Sequence, residues 1–284
     1  MPYTGLFIGL TTLDFIYLSD RPLAENQKLV AQDYLTVAGG PATNAAVAFS
    51  YFNNHPKLLT VLGQHPLTEL IRNDLTRHSV EIVDSIPQKT DTPPISSIVV
   101  TAATGKRAVI SINALKSQAD NTISEDILSD VDVVLIDGHQ IEVSLAIAKV
   151  AQVKHIPVVI DGGSWKPGLE KILPFVDYAI CSANFYPPQC QNSRDVWDFL
   201  QSRRISRMAI TRGEQPIQCL EDGKSYTVSV PVIKALDTLG AGDIFHGAFC
   251  HYILQSDFAT ALSNAAKIAT KSCQFFGTRS WRDR

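Results

Sequence analysis

Two hydrophobic lengths alternate along this chain, and the alternation leaves few folds open. Strand-length apolar runs at residues 5–10, 58–62, 131–136, 158–160, 178–181 and 208–211 are separated by helix-length patterns at 42–52, 67–77, 142–153, 193–203, 242–254 and 258–276. Strand, helix and strand in succession need a right-handed crossover. A series of such units builds a mostly parallel sheet with helices on both faces. Ligands of such sheets sit beyond the carboxyl ends of the strands. Two stretches break the rhythm. Residues 13–18 with 28–37, and 95–101 with 107–112, read as extended, the second pair joined by a turn at Ala102-Ala103-Thr104-Gly105-Lys106. They predict a small β-sheet lid outside the main sheet, drawn from about 13–37 and 95–112. The expected fold is α/β, three layers, with one domain over residues 1–284.

The densest chemical signal is Asp237-Thr238-Leu239-Gly240-Ala241-Gly242-Asp243, which runs into the apolar segment Ile244-Phe245-His246-Gly247-Ala248-Phe249. Glycines at a loop-to-helix junction let the amides of Gly240, Ala241 and Gly242 converge on an anion, helped by the helix dipole. A carboxylate in the first turn, Asp243, can then take a proton from an attacking hydroxyl while the amides hold a transferring phosphoryl group. An isolated Gly-x-Gly-Asp is more often a plain turn with a helix-start carboxylate, and the whole heptad reverses that weighting. The chain carries 25 basic and 28 acidic residues, a net charge of −3, so no global field draws phosphates, nucleic acid or an anionic membrane. Local amides have to do that work.

Weaker signals complete the set. Gly39-Gly40-Pro41-Ala42-Thr43-Asn44 opens a helix of small residues. The glycines permit close approach to a ligand, and Asn44 offers donor and acceptor to vicinal hydroxyls. A turn leading into a Pro-started helix accounts for the segment equally well. Asp14 interrupts an apolar stretch and suits a diol, or is a solvated strand-end carboxylate. Thr211-Arg212-Gly213 ends a strand, and Lys106 and Arg107 lie on the expected lid. Taken singly, these last two are better read as an ordinary turn and a solvated hairpin. The seven histidines show no His-Glu-x-x-His spacing, so no protein-caged metal is expected. Five scattered cysteines without a Cys-x-x-Cys pair fit a reducing compartment. A start without a basic, apolar leader and the lack of a run of about 20 apolar residues point to a cytoplasmic location.

Taken together, Gly9 with Asp14, Gly39-Gly40 with Asn44, Asn184, Thr211-Arg212-Gly213, the heptad and Asn264-Ala265-Ala266 resemble the ribokinase-like, or PfkB, carbohydrate kinases over nearly the whole chain. Within that family the look is nearest to the ketohexokinases, through residues 9–14, Asp91-Thr92-Pro93, Gly105-Lys106-Arg107 and the heptad. The resemblance implies ATP-dependent phosphorylation of a sugar hydroxyl. It implies Asp243 as base, with Gly240, Ala241 and Gly242 as the anion hole. Asp14, Gly39, Gly40 and Asn44 would hold the sugar, with Arg107 reaching in from the lid. Asn184, Thr211, Gly213 and Asn264 would border the nucleotide. Magnesium would be carried mainly by nucleotide phosphates and water, with room for a monovalent cation, and the lid would form the contact of a homodimer. Three positions depart from the pattern. Asn184-Phe185-Tyr186-Pro187 lacks the family's glutamate, Pro41 stands where ketohexokinase has asparagine, and Asn26 where it has an acidic lid residue. A nucleoside kinase and a binding or regulatory member that has lost turnover are the competing readings. The short lid opposes the first, Pro187 favours the second, and the intact heptad opposes the second.

Overall fold

The computed structural model describes residues 2–112, 118, 119 and 124–282. Thirteen strands and seven α-helices occur among the described residues. In chain order they begin with β1 (Thr4–Ile8), β2 (Thr12–Ser19), β3 (Asp33–Gly39), α1 (Pro41–Ser50), β4 (His55–Thr60), α2 (Thr68–Arg77), β5 (Glu81–Asp84), β6 (Ile95–Thr101) and β7 (Lys106–Ser111). There follow β8 (Val133–Ile136), α3 (Ile141–Val153), β9 (Val158–Gly162), α4 (Leu169–Ile172), β10 (Tyr178–Ser182), α5 (Ser193–Ser202), β11 (Arg207–Arg212), β12 (Gln215–Glu221), β13 (Lys224–Val228), α6 (Ala241–Ile253) and α7 (Phe258–Ser272).

The large sheet has the order β13-β12-β11-β10-β9-β8-β1-β4-β5. From β5 to β11 every neighbouring pair is parallel, and β12 and β13 add an antiparallel edge. Central strands are buried on both faces, which is why they read as unbroken apolar runs. Alternate residues feed two cores. Phe7, Leu135, Val159 and Ile180 pack with α1, α2, α6 and α7, while Leu6, Ile8, Ile136, Ile160 and Met208 pack with α3, α4 and α5. The result is three layers, helix on sheet on helix. From β1 the chain builds outward to β4 and β5, then returns to lay β8 on the other side of β1. The crevice beyond β1 and β8 is therefore the switch point at which open α/β sheets bind ligands.

The second sheet has the order β3-β2-β6-β7 and contains the four strands expected outside the main sheet. One boundary differs: the second strand begins at Asp33, not near residue 28. Its register decides what faces inward. Val37, Asp14, Ser96 and Ser111 form one row, Leu35, Ile16, Ile98 and Val109 the next, and Asp33, Leu18, Val100 and Arg107 a third. With a side-chain period of two, these alternate rows share a face. That face meets Leu239 and Phe276 through the buried Ile16, Val37, Ile98 and Val100. Asp14 and Arg107, 93 positions apart, are thus aimed the same way by strand pairing.

Helices α1 and α6 make the packing contact that matters most for the site. A Cβ on Gly247 would lie 2.1 Å from the Ala45 carbonyl oxygen and 2.8 Å from the Ala48 side chain. Small residues here let two backbones touch, so the first turns of the two helices lie side by side. The α7 pattern stops at Ser272, four residues before the expected end.

Candidate active site

The site is assembled from the switch point upward. Asp137 follows β8, is fully buried, and accepts from the amides of Leu10 at 2.9 Å, Ala42 at 3.2 Å and His139 at 2.9 Å. Burial opposes its charge, but the adjacent His139, the charge of Lys166 and the Leu10 amide hold its carboxyl down at about 2. This carboxylate caps the start of α1, where Gly40 takes φ +102° and its missing side chain admits the Leu10 carbonyl oxygen. Gly39 serves a neighbour as well. A Cβ there would meet the Asp14 Oδ2 at 1.9 Å, so the glycine makes room for a carboxylate.

Asp14 is 7% exposed and accepts from the Thr12 hydroxyl at 2.6 Å. Burial raises its pKa, against the Thr12 and Ser96 hydrogen bonds and the charge of Arg279. Asn44, in the first turn of α1, donates Nδ2 to the Asp243 Oδ2 at 2.8 Å. Asp243 lies in the first turn of α6, whose cap is Gly240 at φ +70°. Burial, then the charge of Asp161, raises the Asp243 carboxyl to about 6, against the Asn44 bond and the charges of His246 and Arg107. Gly242 is exposed, and a Cβ on it would meet nothing within 4 Å, so this residue borders open space. The Ala241 amide donates to the Thr238 carbonyl oxygen at a long 3.4 Å and is partly engaged by its own turn. Arg107 donates to the Thr238 hydroxyl at 3.2 Å, which brings the small sheet onto the heptad loop.

Asn184 and Thr211 stand at the carboxyl ends of the paired strands β10 and β11, where the Ala183 amide donates to the Thr211 carbonyl oxygen at 3.0 Å. Gly213 is exposed in the turn beyond, and Asn184 is exposed too. Asn264 lies on α7 and accepts from Lys267 at 3.0 Å, and among the described residues no hydrogen bond ties it to Thr211 or Gly213. Pro187 is buried.

Four participants carried no signal in the sequence. Asp161 ends β9, and His246 faces it with Nδ1 at 3.4 Å from Oδ2. The same ring reaches the Gly242 carbonyl oxygen at 2.7 Å and that of Ile180 at 3.1 Å. Asp137 and Arg279 are the others. Arg279, 8% exposed, donates Nη1 to the Asn44 Oδ1 at 2.9 Å and Nη2 to Asp74 at 3.1 Å. Only the spacing of Asp243 and His246 on one helix face was readable in advance, and nothing marked it as more than amphipathic pattern.

A model of the pfkB family of carbohydrate kinases matches residues 6–283. The chain belongs to this family. The kinase has 24% identity to a ribokinase of Lactococcus lactis, over 96% of this chain and 91% of that one. A deoxyribokinase of Salmonella typhi is also 24% identical, over 96% and 93%. Among solved structures, Arabidopsis thaliana ribokinase complexed with ribose and ATP superposes with a TM-score of 0.76 at 18% identity, covering 97% and 94%. The fold is ribokinase-like, and the chain is an ATP-dependent sugar kinase. No helix among the described residues is long and apolar enough to cross a membrane.

Proposed function

We propose that this kinase transfers the γ-phosphoryl group of ATP to a hydroxyl of a small neutral sugar, with Asp243 as the general base. The observation that carries the reading is the placement of a carboxylate raised to about 6 in the first turn of α6, bonded to Asn44, whose partner Arg279 also acts on the charge of Asp14. Such a group is largely ionised at neutral pH yet basic enough to accept a proton. The sugar O–H gives its proton to the Asp243 carboxylate. The oxygen forms a bond to the γ-phosphorus as the bond to the β–γ bridging oxygen breaks, and ADP leaves. The amides at the start of α6 face the charge that builds on the phosphoryl oxygens. Asp14 holds hydroxyls of the sugar, and the small sheet, carrying Asp14 and Arg107, closes over the cleft as a lid. Asn184, Thr211, Gly213 and Asn264 border the nucleotide.

The charges on the sugar side favour a neutral polyol. Asp14 and Asp243 are acidic, and the guanidinium of Arg279 spends its donors on protein acceptors. The relatives are a ribokinase and a deoxyribokinase, so pentoses come first among candidates, with ketohexoses second on the sequence motifs. Magnesium on the nucleotide phosphates would neutralise their charge. Among the described residues no group of three or more His, Cys, Asp or Glu is placed to hold a metal ion.

An ADP-release screen with ATP and magnesium against pentoses, hexoses, sugar phosphates and nucleosides tests this reading. Turnover of a neutral sugar, lost in Asp243→Asn, is the expected result. ATP binding without turnover of any acceptor sinks it and leaves a non-catalytic member of the family, the reading that Pro187 favours.

A further inference from the structure

The most connected side chain beside the site belongs to the carboxyl-terminal tail. Trp281 is fully buried, packs its ring tilted against Tyr51 with centroids 4.8 Å apart, and donates to the Thr278 carbonyl oxygen at 3.1 Å. This anchor turns Arg279 inward. The guanidinium has five N–H donors. Nε points to Asp74 at 3.3 Å, and Nη2 serves Asp74 and the Ala38 carbonyl oxygen. Nη1 serves the Thr278 hydroxyl at 2.8 Å and the Asn44 Oδ1 at 2.9 Å. All five are matched within the protein, so Arg279 is not built to grip a substrate anion.

Its bond to Asn44 has a consequence for the base. A guanidinium can only donate, so it fixes the carboxamide oxygen of Asn44 toward itself. The NH₂ group is then forced to face Asp243, an acceptor, at 2.8 Å. Asn44 cannot turn its oxygen toward the carboxylate without losing both bonds and setting oxygen against oxygen and N–H against N–H.

We propose that Arg279 is a positioning residue for phosphoryl transfer: it locks the Asn44 carboxamide so that Nδ2 occupies the Asp243 Oδ2 and Oδ1 is left to take the substrate proton. The proposal rests on the reading of Asp243 as base. The charged groups facing Asp243 are Asp161 from β9, His246 from its own helix and Arg107 from β7, and Asn44 is its hydrogen-bonding neighbour from α1. Loss of a fixed donor should therefore move the acid limb of kcat/KM for the sugar to higher pH.

The test pairs kinetics with a readout that needs no turnover, the side-chain amide NMR signals of Asn44. In the wild type one amide proton should be shifted and slow to exchange. Arg279→Met should remove that signature, lower kcat about 10- to 100-fold and leave the KM for ATP unchanged. In an Asn44→Ala background the same substitution should add less than about a twofold effect, because the two residues act as one unit. Arg279→Lys, which keeps the cation but not the fork, should give two sets of Asn44 signals. Unchanged Asn44 signals in either variant, or an Arg279→Met effect that multiplies fully with Asn44→Ala, overturn the proposal. Where neither variant folds, two freely exchanging Asn44 protons in the wild type overturn it as well, and a protected one supports it. A protein that phosphorylates no sugar refutes the kinase mechanism, while the amide signals still decide the role of Arg279.

Discussion

At Asp243 burial and ionisation pull in opposite directions. In the unfolded chain the carboxyl titrates near the ordinary aspartate value of 3.8, and in the folded protein near 6. The folded state therefore binds this proton more tightly, and stability from this group is lost as pH rises from about 4 through 6. Asp243→Asn removes this partly buried charge. We expect it to melt higher than the wild type at pH 8, with no gain at pH 4, and to lose about 10²–10⁴-fold in kcat. Near wild-type turnover with intact ATP binding would show that Asp243 is not the base. Asp161 raises that pKa by like-charge repulsion, more than either His246 or Arg107 lowers it. Asp161→Asn should thus shift the acid limb of kcat/KM to lower pH, and a limb that stays in place or moves upward contradicts the assignment. These residues differ in how readable they were. The heptad announced itself because glycine spacing and a following helix lie in one stretch of chain. Asp161, Asp137 and Arg279 act through partners more than 80 positions away, and a lone carboxylate after a strand, or an arginine near the end of the chain, has no local pattern to mark it.

At the scale of elements, the parallel strands and their helices were legible because fully buried strands are unbroken apolar runs. The hairpin of β12 and β13 was not, and neither was β5. These lie at the edges of the sheet, where Gln215, Glu221 and Lys224 mix with Ile217 and Cys219 and the alternation is only half apolar. The helix contact beneath the site was equally invisible, although its ingredients, Ala45, Ala48 and Gly247, were in view. A methyl group on Gly247 has no space against the Ala45 backbone, so Gly247→Ala must push α1 and α6 apart. It should cost about 1–3 kcal/mol in denaturant unfolding. It should also lower kcat, since the Asn44–Asp243 bond spans that interface. Unaltered stability and turnover would mean the two helices are free to slide.

At the scale of the molecule, the small sheet has a face turned toward solvent. Its strands carry the apolar residues Ile98, Val100 and Val109. Ile98 and Val100 are buried against Leu239 and Phe276, because the rows containing Asp14 and Arg107 turn inward together, while Val109 is half exposed. The outward rows carry Tyr17, Tyr34 and Ile110, exposed by 39%, 68% and 76%. Tyr17 and Tyr34 are directly paired across β2 and β3. A second copy laid on this face around a two-fold axis would cover each aromatic twice over, since residues of an isologous interface recur on both partners. For the same reason a single charge placed there is doubled. We expect a dimer by light scattering over a range of micromolar concentrations, and a monomer for Tyr34→Asp, whose two carboxylates would be brought toward one axis. The alternative is a monomer whose apolar surface residues are the ordinary exposed fraction of a soluble protein. A wild-type mass that stays monomeric at every concentration establishes that alternative. It would leave the inward face, with Asp14 and Arg107 on it, unaffected, because that face is set by strand register and not by a partner.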